Sequence, residues 1–264
     1  MILLVALLLG AGADSVGMAQ YAESTFQMGH PQQDMGPYGN SWKSNELPPH
    51  EVSLSAFSLD VTEVTVGQWV DFLNAHLKGA PEASAHHHAL QPVAWQGDGF
   101  AASGKEDEPI RMVSWYDAAT YCAWVGKRLP TEAEWERAAK GVEDENQAFP
   151  WGPDRPGCTE AVFFTNRTLC ADGPQPVGSR SPAGDSPEGV SDLSGNVAEW
   201  VFDRYGAYEA DAQQDPTGPD EGDARVVRGG GYRDSSDMLR SMARIGVSAH
   251  TRSEGIGFRC ASSL

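Results

Sequence analysis

At 264 residues, with 40% hydrophobic and 21% charged side chains, the chain can bury a sizeable core and is too apolar overall for wholesale disorder. Asp and Glu outnumber Lys and Arg by 37 to 19, a net charge of −18, so nucleic acid is excluded as a natural partner because its binding needs Lys and Arg to displace counterions. The 29 glycines and 17 prolines predict a loop-rich fold with modest regular structure.

In chain order, Met1 to Leu9 is continuously apolar and then breaks into Gly10-Ala11-Gly12-Ala13, as a secretory leader with a small-residue cleavage site does. That run is too short to cross a bilayer, and no transmembrane span follows it. Residues 1–20 are therefore expected to be leader and spacer, and 21–264 a single domain. Phe26-Gln27-Met28-Gly29 opens the domain, and a polar loop leads to Pro49. Val52, Leu54, Ala56 and Phe57 run into Leu59 to Val64, a β-branched stretch that reads as strand. Thr65-Val66-Gly67-Gln68 has the form of a capping box, with Trp69, Phe72, Leu73 and His76 at helical spacing behind it.

His86-His87-His88 lies in an Ala/Ser/Gly-rich insert and reads as a solvated loop, since adjacent histidines cannot all face one ion. A second helix is expected from Ser114 to Val125. A third opens at Thr131-Glu132-Ala133-Glu134, with Trp135 and Ala138 on its inner face. From Phe149 onward short apolar pieces alternate with Gly, Pro and Asp, giving an α+β reading. Asn166-Arg167-Thr168 has the form of a glycosylation sequon. The four cysteines, Cys122, Cys158, Cys170 and Cys260, fit an oxidising compartment and allow three pairings.

Six blocks carry a more specific signal. They are Phe26-Gln27-Met28-Gly29, Asp60 to Thr65, Tyr121 to Glu136, Phe149-Pro150-Trp151-Gly152, Asp192 to Trp200, and a C-terminal pair, Arg228-Gly229-Gly230-Gly231-Tyr232 with Gly257-Phe258-Arg259-Cys260. In content and order they resemble the formylglycine-generating-enzyme (sulfatase-modifying factor) family from Phe26 to Ala261. The resemblance implies that family's fold, a C-type-lectin-like variant with little regular secondary structure. It also implies a Cys122–Cys260 disulfide, which leaves Cys158 and Cys170 as a local staple.

Catalytically active relatives carry two closely spaced cysteines between the two C-terminal landmarks, near Ser236 and Ser241 in the nearest register. Arg233 to Ile256 contains none. Thiolates bind soft Cu(I) and can be oxidised, and no hydroxyl substitutes for them in that role, so copper is not expected. The resemblance further implies calcium, held by carboxylates of Asp192 and Glu199 and carbonyls of Gly195 and Val197; the alternative is that Asn196 and Glu199 brace the loop without metal. A second family calcium site, near 161–173, does not carry over, with Asp172 as a remnant.

The candidate ligand surface is Tyr232, Arg233, Asp234, Ser236 and Arg240, although Arg240, Arg244 and Arg259 also read as buried arginines paired to carboxylates. The resulting expectation is an exported protein, secreted or periplasmic. It would be non-catalytic and bind a peptide, protein or glycan. One alternative is a copper-dependent oxidase converting a sulfatase cysteine to formylglycine, which needs Cys158 or Cys170 free. The other is a lectin-fold protein with a variable ligand-binding surface from Tyr232 to Arg252.

Overall fold

The computed structural model describes residues 17–31, 41–77, 93–96, 99–102, 104–142 and 147–264. The apolar run at Met1–Leu9 and the His86–His88 triplet lie outside them. Strand β1 (Met18–Tyr21) pairs antiparallel with β4 (Phe57–Asp60), and the other edge of β4 takes β12 (Ala261–Ser263). Leu59 faces Ala19 on one side and Ala261 on the other, which is why β4 is buried along its whole length. Met18 to Gln20, expected in the spacer, are therefore part of the domain's first sheet.

A second sheet joins β2 (Ser24–Met28), β3 (His50–Leu54) and the short parallel β8 (Gln213–Gln214). A hairpin is made by β5 (Val93–Gln96) and β6 (Gly99–Ala102). The largest sheet has the order β10 (Arg244–Ser248), β9 (Ala224–Arg228), β7 (Ala198–Arg204) and β11 (Ile256–Gly257), the last pair parallel. The stretch expected as strand to Val64 stops at Asp60. Beyond it the chain turns so that Glu63 is fully buried, accepting from the Asn196 side chain at 2.9 Å and the Val197 amide at 3.2 Å.

Besides a 3-10 turn at Ser41–Glu46, three α-helices stand among the described residues: α1 (Val66–Leu77), α2 (Trp115–Trp124) and α3 (Glu132–Lys140). Each begins at a reciprocal cap. Thr65 and Gln68 exchange side-chain-to-backbone bonds, as do Ser114 with Asp117 and Thr131 with Glu134, so two orphan amides are satisfied at each start. One core packs Trp69, Phe72, Tyr121, Trp200 and Phe258 around α1 and α2, and the Cys122–Cys260 disulfide closes it. A second packs Trp135 and Ala138 of α3 against Leu59, Val190, Leu193 and Val201.

Helix α3 is buried throughout although three of its residues are glutamates. Each carboxylate is claimed by an arginine from elsewhere in the chain. Glu132 holds Arg244 through two bonds of 2.7 Å, Glu134 holds Arg128 through two of 2.6 Å, and Glu136 holds Arg228. Glu136 also accepts from the Gly29 amide at 2.7 Å. The Thr-Glu-Ala-Glu-Trp-Glu block is thus the ionic keel of the domain, tying α3 to β9, β10 and the first loop.

Candidate functional site

Strand β9 ends in Gly229-Gly230-Gly231, where the chain turns with φ of +84° at Gly229 and +64° at Gly230. A Cβ at Gly230 would come within 2.9 Å of the Met238 carbonyl, so only glycine permits the turn. The next residues fold into a tight loop. The Gly231 amide donates to Asp234 Oδ2 at 2.8 Å, and the Asp234 amide returns to the Gly231 carbonyl at 2.9 Å. Alongside runs the segment closed by Cys158–Cys170, whose Phe164 amide donates to the Asp234 carbonyl at 2.9 Å.

The five candidate ligand residues separate in this loop. Arg233 is exposed, its guanidinium 5.0 Å from the centre of the Tyr232 ring and paired loosely with exposed Glu254. Asp234 and Ser236 are half-buried at its rim, and Tyr232 is buried. Arg240 leaves the set: it is buried in a two-bond pair with Glu46, both at 2.6 Å, from the far end of the sequence. Ser241 is fully buried, its hydroxyl on the Ala139 carbonyl at 3.2 Å, so a reactive group there would face the interior. Hollows of about 320, 390 and 470 Å³ lie elsewhere, none of the three bordered by residues 232–240.

The calcium block folds as a sharply turned loop, with positive φ at Asp192, Gly195 and Asn196. A side chain at Gly195 would meet the Val162 carbonyl at 2.6 Å. Two of the four expected donor residues, Glu199 and Asp192, are engaged by other groups of the protein. Both oxygens of Glu199 are held by Arg259 at 2.8 Å, and Oε2 also accepts from Trp135 Nε1 at 2.9 Å. The Arg259 guanidinium therefore lies directly against the carboxylate that the resemblance assigns to calcium. Asp192 spends one oxygen on the Gly178 amide at 2.6 Å. Burial, relieved in part by that bond and by Arg259, lifts the Asp192 carboxyl to about 6. The alternative role, a loop braced by Asn196 and Glu199, matches the contacts: Asn196 accepts from the Gln175 amide at 2.9 Å and donates to Glu63.

Arg244 and Arg259 are the buried, carboxylate-paired arginines that their sequence context suggested. The acids Glu46, Glu63 and Asp203 escaped that reading. Asp203 accepts from the Glu132 amide at 2.8 Å, and burial with the charge of Glu132 lifts its carboxyl to about 8. Glu63 had a signal, its place in the Asp60–Thr65 block; Glu46 and Asp203 had none.

Comparison with known proteins agrees with this architecture. The chain is 32% identical over 274 residues to the inactive C-alpha-formylglycine-generating enzyme 2 of Mus musculus, covering 87% of this chain and 82% of that one. It is 30% identical over 292 residues to the formylglycine-generating enzyme of Thermomonospora curvata, covering 93% of each. Similarity thus extends to both active and inactive relatives and does not choose between them. Against the serine/threonine-protein kinase pkn1 of Chlamydia caviae it is 35% identical over 229 residues, 83% of this chain but only 35% of that protein, so it spans about a third of that relative's length. Among solved structures, Treponema denticola variable protein 1 superposes with a TM-score of 0.71 at 25% identity, covering 94% of this chain and 95% of that one. The model of the sulfatase-modifying factor enzyme 1-like domain matches residues 18–264, every described residue but the first, and the chain belongs to that family.

Proposed function

We propose that this protein is a non-catalytic member of its family, exported and acting as a binding or accessory module for a peptide, protein or glycan. The observation that carries the reading is the state of the sulfur. Cys122 is bonded to Cys260 and Cys158 to Cys170, and no cysteine is free. Copper-dependent oxidation of a thiol needs thiolate ligands, and the loop where active relatives carry theirs holds Ser236 and buried Ser241 instead. Exposed Arg233, with Asp234 and Ser236 beside it, is the part of that loop a ligand would meet. Two disulfides and the apolar run at Met1–Leu9 support export. No helix among the described residues is long and apolar enough to cross a membrane.

The test is direct. The oxidised protein is incubated with Cu(I), oxygen and a cysteine-bearing sulfatase-motif peptide, and the peptide mass is followed beside an active relative. No formylglycine is expected while the control turns over. Formylglycine above the no-enzyme level overturns the reading and returns attention to Cys158 and Cys170.

The likeness to a variable protein favours a second reading, in which Tyr232 to Arg252 forms a diversified ligand-binding surface. A template repeat close to the gene is its signature, and a genomic locus without one removes it.

A further inference from the structure

Four arginines of this protein are anchored in its interior, and two on the large sheet are not. Arg228, Arg240, Arg244 and Arg259 each hold a carboxylate in the interior. Arg204 and Arg225 do not. They are direct partners across β7 and β9, side by side at the outer end of the large sheet, and neither forms an ion pair with a carboxylate among the described residues. Like charges placed opposite each other on neighbouring strands destabilise the pairing. Burial and the charge of Arg204 hold the Arg225 guanidinium below the usual arginine range. Arg225 is nevertheless fixed in place: it lies over the Trp115 ring at 3.7 Å and donates to the Phe202 carbonyl at 2.6 Å. Those contacts orient the charge without neutralising it. Asp203 on β7 acts on Arg225 in the opposite sense to Arg204 but makes no ion pair with it among the described residues.

Both arginines open onto a hollow of about 470 Å³, which Tyr116, Asp223, Ser248 and His250 also border. Tyr116 is 48% exposed, and its ring stands 5.0 Å from that of His250. In a chain of net charge −18, an oriented Arg225 guanidinium with Arg204 opposite it, neither ion-paired among the described residues, stands out beside two exposed rings.

We propose that this hollow is an anion-binding site: an organic anion places its carboxylate, sulfate or phosphate group between Arg204 and Arg225 and lays its body against Tyr116 and His250. Asp223 and Ser248 on the rim are placed to meet hydroxyl groups of that body. The bound anion would neutralise the opposed pair, so the sheet keeps its like-charge contact for the ligand's sake. The site does not involve Arg233, Asp234 or Ser236, so either proposal can fail while the other stands.

Calorimetric titration of the whole oxidised protein at low salt, with glucuronate, phenyl phosphate and inorganic phosphate as probes, tests it. At least one organic anion is expected to bind tenfold more tightly than inorganic phosphate, with affinity falling as salt rises. Arg204→Gln and Arg225→Gln are each expected to weaken binding by tenfold or more. Arg167→Gln, the same loss of charge on an exposed loop, leaves it unchanged. Arg204 has no ion pair to lose among the described residues, so Arg204→Gln is expected to melt no lower than the parent, separating lost binding from lost folding. Tyr116→Ala should weaken the organic anions and spare inorganic phosphate. Absence of binding for all three probes, or equal weakening by Arg167→Gln, overturns the site. Equal affinity for inorganic phosphate overturns the role given to the rings.

Discussion

At the residue scale, buried charge decides most of what holds this protein together. Arg228 and Glu136 are both fully buried, and removing Glu136 leaves Arg228 only its longer 3.3 Å pair with Glu132, itself shared with Arg244, in a medium that cannot solvate the charge. Glu136→Ala is therefore expected to cost about 3–5 kcal/mol in urea denaturation, and a loss below about 1 kcal/mol would show that water reaches the pair. Asp203 makes a different prediction. Its carboxyl is held at about 8 by burial and by Glu132, against an ordinary value of 3.8. The folded state thus keeps a proton that the unfolded chain releases, and stability falls as pH rises between those two values. Asp203→Asn keeps an acceptor for the Glu132 amide and removes that slope. Denaturation at pH 5 and pH 8 should find the variant more stable than the parent at pH 8, and an unchanged slope would assign the effect to other acids.

At the element scale, caps and turns were legible because their chemistry is local. Thr65 with Gln68, Ser114 with Asp117, and Thr131 with Glu134 are each three residues apart, and every one opens a helix. Thr131→Ala is expected to cost about 1 kcal/mol, read as a fall in denaturation midpoint at unchanged slope. The strand expected to reach Val64 failed for a non-local reason: Glu63 must turn inward to accept from Asn196 and Val197, more than a hundred residues away. The calcium block likewise depends on a distant residue. Its oxygen-bearing residues were all legible, but Arg259, which closes Glu199, lies 60 positions further on. Melting temperature is accordingly expected to be the same in calcium and in chelator. A rise of several degrees with calcium would show Glu199 leaving Arg259 for the ion.

At the scale of the whole molecule, two disulfides of very different reach act on one domain. Cys122–Cys260 spans 138 residues and Cys158–Cys170 spans 12. A longer closed loop removes more freedom from the unfolded chain, so loss of the long bridge should cost about 2 kcal/mol more than loss of the short one. Paired cysteine-to-serine variants melted side by side measure the difference, and equal losses would place the long bridge's effect in native packing instead.

By itself the sequence determined the family blocks and their order, the helix starts, the inner face of α3, and the absence of cysteine between Arg233 and Ile256. All of these rest on residue identity or on neighbours within a turn of helix. Only the tertiary structure decided that Arg240 belongs to Glu46, 194 residues away, rather than to a ligand surface. It likewise decided that Glu199 is closed by a guanidinium and that Arg204 faces Arg225 across two strands. Which charge meets which depends on sheet register and on loops that bring distant segments together, and no local pattern encodes that.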